Sequence, residues 1–114
     1  MWRTSTDLQV FKAGFFRALA HPVRIRILEQ LRHGPRTVQA LQEALGMDQA
    51  PVSQQLAVLR ARNLVVATRT GTTAHYGVRD PLVHDLLDTA RAIFDNHLHG
   101  SQAMLKELRR EARR

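Results

Sequence analysis

The sequence predicts a mainly α fold with one small β-hairpin. Three observations carry that prediction. Four segments before residue 62 repeat apolar residues at the 3.6-residue period of a helix. A β-branched run follows at 64–69 and returns at 74–78. A long segment with a broad apolar face then starts at Asp80-Pro81.

Thr6 with Gln9 forms a capping box, and Leu8, Phe11, Phe15 or Phe16 and Leu19 continue a helical stripe to about Ala20. His21-Pro22 restarts the chain with proline at a first helical position, and Val23, Ile27, Leu28 and Leu31 keep the period until Gly34-Pro35 stops it. Thr37 caps a short third helix through Val38, Leu41, Ala44 and Leu45, and Gly46 suits the left-handed residue after a helix end.

Asp48 is placed to cap a fourth helix over residues 47–60, where Val52, Leu56 and Leu59 make one apolar stripe. Its other face is Gln49, Ala50, Ser53, Gln54 and Ala57. These short or polar side chains can enter a major groove and bond base edges without desolvating a charge. Two short helices joined by Gly-Met-Asp are a helix-turn-helix, about residues 37–62.

Leu64 to Arg69 is β-branched and extended, Thr70-Gly71-Thr72-Thr73 can turn, and Ala74 to Val78 returns, giving a wing over about residues 64–79. In the last helix Leu82, Val83, Leu86, Leu87, Ala90, Ile93, Phe94 and Leu98 share one face, with a break or bend expected near Gly100. Ser101 to about Arg110 continues helical, as an ordered element or a frayed basic tail. No linker or internal repeat divides residues 1–114, so a single winged helix-turn-helix domain is expected.

Composition narrows the function. With 5% aromatic residues, the core must be built mainly of Leu, Val, Ile and Ala. The absence of cysteine removes disulfides, thiolate metal sites and thiol switches. Neither a span of 18 apolar residues nor a signal-peptide pattern is present, so a cytoplasmic protein without membrane contact is expected.

The net charge is +7, and its placement matters more than its size. Residues 1–79 hold eleven Lys/Arg against four Asp/Glu, whereas residues 80–114 hold six of each. No acidic residue falls between Asp48 and Asp80, while Arg60, Arg62, Arg69 and Arg79 do. That is the footprint expected for a polyanion. Taken alone, it fits a solvated basic surface equally well.

The outer helices, about 6–20 and 81–110, carry more apolar surface than a small core can cover, which points to a homodimer. A two-fold dimer presents two recognition helices about 34 Å apart to double-stranded DNA and so reads two half-sites.

Several segments together resemble the ArsR-type (ArsR/SmtB) winged helix-turn-helix repressors. They are Leu19-Ala20-His21-Pro22-Val23-Arg24-Ile25-Arg26-Ile27-Leu28, Ala44-Leu45-Gly46-Met47, Val52 to Arg60, and Asn63-Leu64-Val65 leading to Gly71 and Tyr76. The match covers roughly residues 15–95 in order and spacing. The resemblance implies a homodimer that packs through its first and last helices and represses promoters until a signal lowers its DNA affinity. It places Gln49, Ala50, Ser53 and Gln54 toward bases, Arg60 toward phosphates, and Arg69, Thr70, Thr72 and Thr73 on the wing near the backbone or minor groove. Gln55 reads as an exposed helix residue rather than a base contact. For Arg62 a surface ion pair fits as well as a phosphate, and at least one of Arg24 and Arg26 is expected to be structural.

Many relatives in that family sense metals. The thiolate site before the recognition helix corresponds here to Thr37-Val38-Gln39-Ala40-Leu41, which has no ligand. In the last-helix site Asp80 matches, but Leu82, Ile93 and Asn96 stand where the other ligands belong. Neither familiar site is reproduced, and no cofactor is expected. A displaced zinc, nickel or cobalt site would use His84 and Asp88 with Asp95, His97 and His99. The remaining alternative is a winged module that binds another protein, since fold does not fix function. No nucleophile elbow, phosphate loop or zinc-hydrolase motif indicates an enzyme.

Overall fold

Helix α1 (Ser5–Leu19) opens the computed structural model, in which residues 5–112 are described. Ser5 and Thr6 are already helical, so Thr6 lies inside the helix rather than capping it. Sequence alone does not choose among the neighbouring hydroxyls of Thr4, Ser5 and Thr6. Among the described side chains of α1 only Ala18 and Leu19 are buried, while Leu8, Phe11 and Phe16 are exposed and Phe15 meets Phe16 edge-on at 5.5 Å.

Helix α2 (Pro22–Gln30) starts where His21 holds an extended backbone and its Nδ1 accepts from the Val23 amide at 3.1 Å. Pro22 costs nothing at the first helical position, where its missing N–H would have had no intrahelical partner. A 3₁₀ turn, Leu31–His33, tightens the end before Gly34. Ile27, Leu28 and Leu31 are almost wholly buried.

Helix α3 (Val38–Leu45) is capped by Thr37, whose Oγ1 accepts from the Ala40 amide at 3.1 Å. It ends at Gly46, with φ 64°, and the Met47 amide donates back to the Gln42 carbonyl at 3.1 Å. This left-handed ending satisfies a carbonyl that the helix cannot, and turns the chain within three residues into α4 (Gln49–Ala61).

Asp48 occupies the N-cap of α4 with an extended backbone, but its carboxylate makes no capping hydrogen bond, contrary to expectation. Pro51 removes one of the two amides such a cap can use. It sits at the third helical position, where an N-cap side chain most often finds an N–H, and proline has none.

The wing is an antiparallel pair, β1 (Val65–Thr70) and β2 (Thr73–Val78), in register from Val65 opposite Val78 to Thr70 opposite Thr73. Thr70 and Thr73 therefore belong to the strands, and the turn is the two residues Gly71-Thr72 rather than four. Gly71 has φ 65° and Thr72 does not share that sign, the pattern of a tight hairpin turn with glycine first. A bridge absent from the sequence reading joins Arg36 to Tyr76 by paired backbone hydrogen bonds of 2.9 and 2.8 Å. It fastens the segment before α3 to β2, and Pro35 lies close against the buried Gly77.

The core lies between α2, α3, α4 and the base of the wing. Ile27, Leu28, Leu31, Leu41, Leu45, Val52, Leu56, Leu59, Leu64 and Val65 are all buried there. Each large aliphatic side chain removed from water contributes about 1.5–3 kcal/mol.

The chain divides into two compact units, the first ending at Pro81 and the second beginning at Leu82. The second is a single helix, α5 (Leu82–Ala112), which runs unbroken through Gly100. The expected bend is absent because glycine keeps its N–H and costs only about 1 kcal/mol against alanine in a helix interior. Residues 101–110 are thus a continuation of the helix, while Arg113 and Arg114 lie outside the described residues. Ile93, Phe94, Leu98, Met104, Leu105 and Leu108 on α5 are more than half exposed.

Candidate nucleic-acid interface

Helix α4 is held by one face and open on the other. Val52, Leu56 and Leu59 are within 1% of complete burial, while Gln49, Ala50, Gln54, Ala57 and Arg60 are exposed and Ser53 is half-buried. The short and polar side chains singled out from sequence therefore form one stripe along the outer side of the helix. Its first residues also lie at the positive end of the helix dipole, a favourable place for an anionic partner.

The far end of α4 feeds directly into the wing. Asn63 adopts φ 58°, the Leu64 amide donates to the Leu59 carbonyl at 2.9 Å, and the Asn63 amide donates to Arg60 at 3.0 Å. Asparagine is among the few residues besides glycine that tolerate this conformation. The Arg79 amide closes the base of the wing by donating to the Leu64 carbonyl at 3.0 Å. The hairpin is thereby anchored at both ends to Leu64, three residues past the end of the helix.

On the hairpin, Arg69 pairs with Ala74 and is exposed, as are Thr70, Gly71, Thr72 and Thr73 at the tip. Strand alternation places Thr68, Thr70, Thr73 and His75 on one face and Arg69 on the other, the face of the buried Val65. Arg60 and Arg69 thus both follow the stripe in chain order, with no acidic side chain from residue 49 to residue 79.

Two arginines take other roles. Arg24 donates from Nε to the Ala18 carbonyl at 2.7 Å, from Nη2 to Arg17 at 3.4 Å, and from Nη1 to Gln55 Oε1 at 2.9 Å. Arg26 donates to the Leu45 carbonyl at 3.1 Å, at the end of α3. Both neutralise helix C-terminal carbonyls, so both are structural, and Gln55 is bonded rather than merely exposed. Arg62 lies against α1, where a Cβ added at Gly14 would be 3.7 Å from its Nη1.

Among the described residues no three His, Asp or Glu side chains gather as a metal site. On α5, His84 is half-buried, and Asp88, Asp95, His97 and His99 are exposed. Helical spacing puts His84, Asp88, Asp95 and His99 on one side and His97 on the opposite side, and His84 is roughly 16 Å along the axis from Asp95. No helix among the described residues is long and apolar enough to cross a membrane.

A helix-turn-helix domain family model matches residues 19–67. The chain is 41% identical over 106 residues to the uncharacterized HTH-type transcriptional regulator Rv0081 of Mycobacterium tuberculosis, covering 92% of this chain and 93% of that protein. The crystal structure of Rv0081 superposes with a TM-score of 0.74, covering 81% of this chain and 93% of that one. The homodimeric winged helix-turn-helix DNA-binding domain Mb0332 of Mycobacterium bovis, a possible ArsR-family regulator, matches at TM-score 0.76 and 32% identity, over 86% and 91% of the two chains. The chain belongs to the ArsR-type (ArsR/SmtB) family of winged helix-turn-helix transcriptional regulators.

Another member, the HTH-type transcriptional regulator NmtR of M. tuberculosis, is 48% identical over 87 residues, 76% of this chain and 72% of that protein. The protein is accordingly a DNA-binding transcriptional regulator of the ArsR type, and its family consists of regulators rather than enzymes.

Proposed function

We propose that this ArsR-type regulator is a homodimeric repressor that reads a palindromic operator in double-stranded DNA, and that it works in the cytoplasm. In this reading Gln49, Ala50, Ser53 and Gln54 meet base edges, with Gln54 able to bond adenine through both its amide atoms. Arg60 and the wing residues Arg69 and Thr72 meet phosphate and sugar, setting register without reading sequence. The observation that carries the proposal is the open stripe of short polar side chains on α4, followed by a hairpin tied to the helix end, all in an acid-free stretch.

The dimer reading rests on the exposed Phe11 and Phe16 of α1 and on the apolar face of α5, both in the helices expected to pair. Selection from a library of random duplexes tests the dimeric reading of a palindromic operator. The enriched sequences should be two inverted half-sites whose centres lie one helical turn apart or a multiple of it. Enrichment of a single unrepeated half-site, or of nothing, would reject it.

A further inference from the structure

Arg24 stands on α2, is half-buried, and joins three helices at one group. Two of its acceptors, the carbonyls of Arg17 and Ala18, belong to the last turn of α1, while the third is the side chain of Gln55 in the middle of α4. A guanidinium is rigid and planar, so bonds from Nε and both Nη atoms fix their acceptors relative to one another. Gln55 is adjacent in the chain to Gln54, the residue assigned to base readout.

We propose that Arg24 is a positioning residue for DNA reading, setting the rotation of the recognition helix against the end of α1 through its bond to Gln55. Apolar packing of Val52, Leu56 and Leu59 fixes which face of α4 turns inward, but apolar contact is not directional. A charge-assisted hydrogen bond is directional, and an amide bonding a base edge needs its backbone held to within about half an ångström. Lysine does not replace this group, since a single ammonium on a flexible stem cannot hold all three acceptors in a fixed plane.

The inference rests on the DNA-reading proposal for its consequence, not for the tie itself, so the test has two arms using Arg24→Lys, Gln55→Ala and the double variant. Amide hydrogen exchange on the free protein reads the tie. Both single variants should speed exchange in the later part of α4, Arg24→Lys also in the last turn of α1, and neither in the wing. Unchanged exchange, or a uniform rise over the chain, would overturn the proposal.

The second arm measures affinity for the library-enriched duplex and for a random duplex across a salt series. Each single variant should lose about 5- to 20-fold on the enriched duplex and much less on the random one, and the double variant should lose no more than Arg24→Lys alone. The salt slope should stay at the wild-type value. Additive losses would overturn the proposal, and so would a slope smaller by about 1.8 in the charge-removing variant Arg24→Gln, which would make Arg24 a phosphate contact in each protomer. Failure of the wild-type protein to bind any duplex would defeat the DNA-reading proposal instead, and the exchange arm would still decide whether Arg24 orders α4.

Discussion

The Leu64 amide donates to the Leu59 carbonyl at 2.9 Å, across the left-handed Asn63. Both leucines are buried, so the bond fixes where the recognition helix ends and where the wing begins. Asn63→Val should cost about 1–2 kcal/mol in urea unfolding, because a β-branched residue is strained at positive φ. Asn63→Gly should stay within a few tenths of the wild type or exceed it. Equal losses for the two would mean that the backbone conformation at 63 is not what limits this turn.

Leu56→Ala should destabilise the protein by about 2–5 kcal/mol, since the side chain is 1% exposed beneath the recognition helix and the site cannot fully collapse. Ala57→Ser, on the exposed side of the same turn, should stay within about 0.5 kcal/mol. Thermal or urea unfolding of the two variants checks the burial assignment of α4, and similar losses would contradict it.

Gln54→Ala should weaken binding to the enriched operator by about 1–3 kcal/mol and leave random duplex nearly untouched. Arg69→Ala should weaken both by similar factors, because a phosphate contact carries no sequence information directly. Parallel titrations of the two duplexes decide between these roles. Equal losses on both duplexes for Gln54→Ala would remove it from base readout.

Zinc, nickel or cobalt added to the protein–operator complex should leave its affinity unchanged, since neither familiar metal-site pattern is present and His97 lies opposite the other α5 candidates. Metal-driven release of DNA that disappears in His84→Ala/His97→Ala would instead establish the displaced-site alternative.

What could be read from sequence depended on how local its cause was. Thr37 and Gly46 act on amides or carbonyls within five residues, so the bounds of α3 were visible in the chain. Asp48 shows the limit of that reasoning, because Pro51 three residues on removes one of the two amides its cap could use, a local signal that the capping rule alone does not weigh. Gly100 failed for a similar reason, as glycine weakens a helix without ending it. The Arg36–Tyr76 bridge and the Arg24–Gln55 bond join residues 40 and 31 positions apart, and no local pattern marks them. The stripe from Gln49 to Ala57 was legible because helical period and polarity agree there.

In the proposed complex, α4 and the wing form a basic face that binds duplex DNA as a dimer. A salt series on random duplex tests it most directly, since each phosphate neutralised contributes about −0.9 to the slope of log affinity against log salt. With Arg60 and Arg69 from each of two protomers, and backbone amides adding no charge, the expected slope is roughly −3.5 or steeper. A slope near zero would contradict it and would favour a winged module that binds another protein.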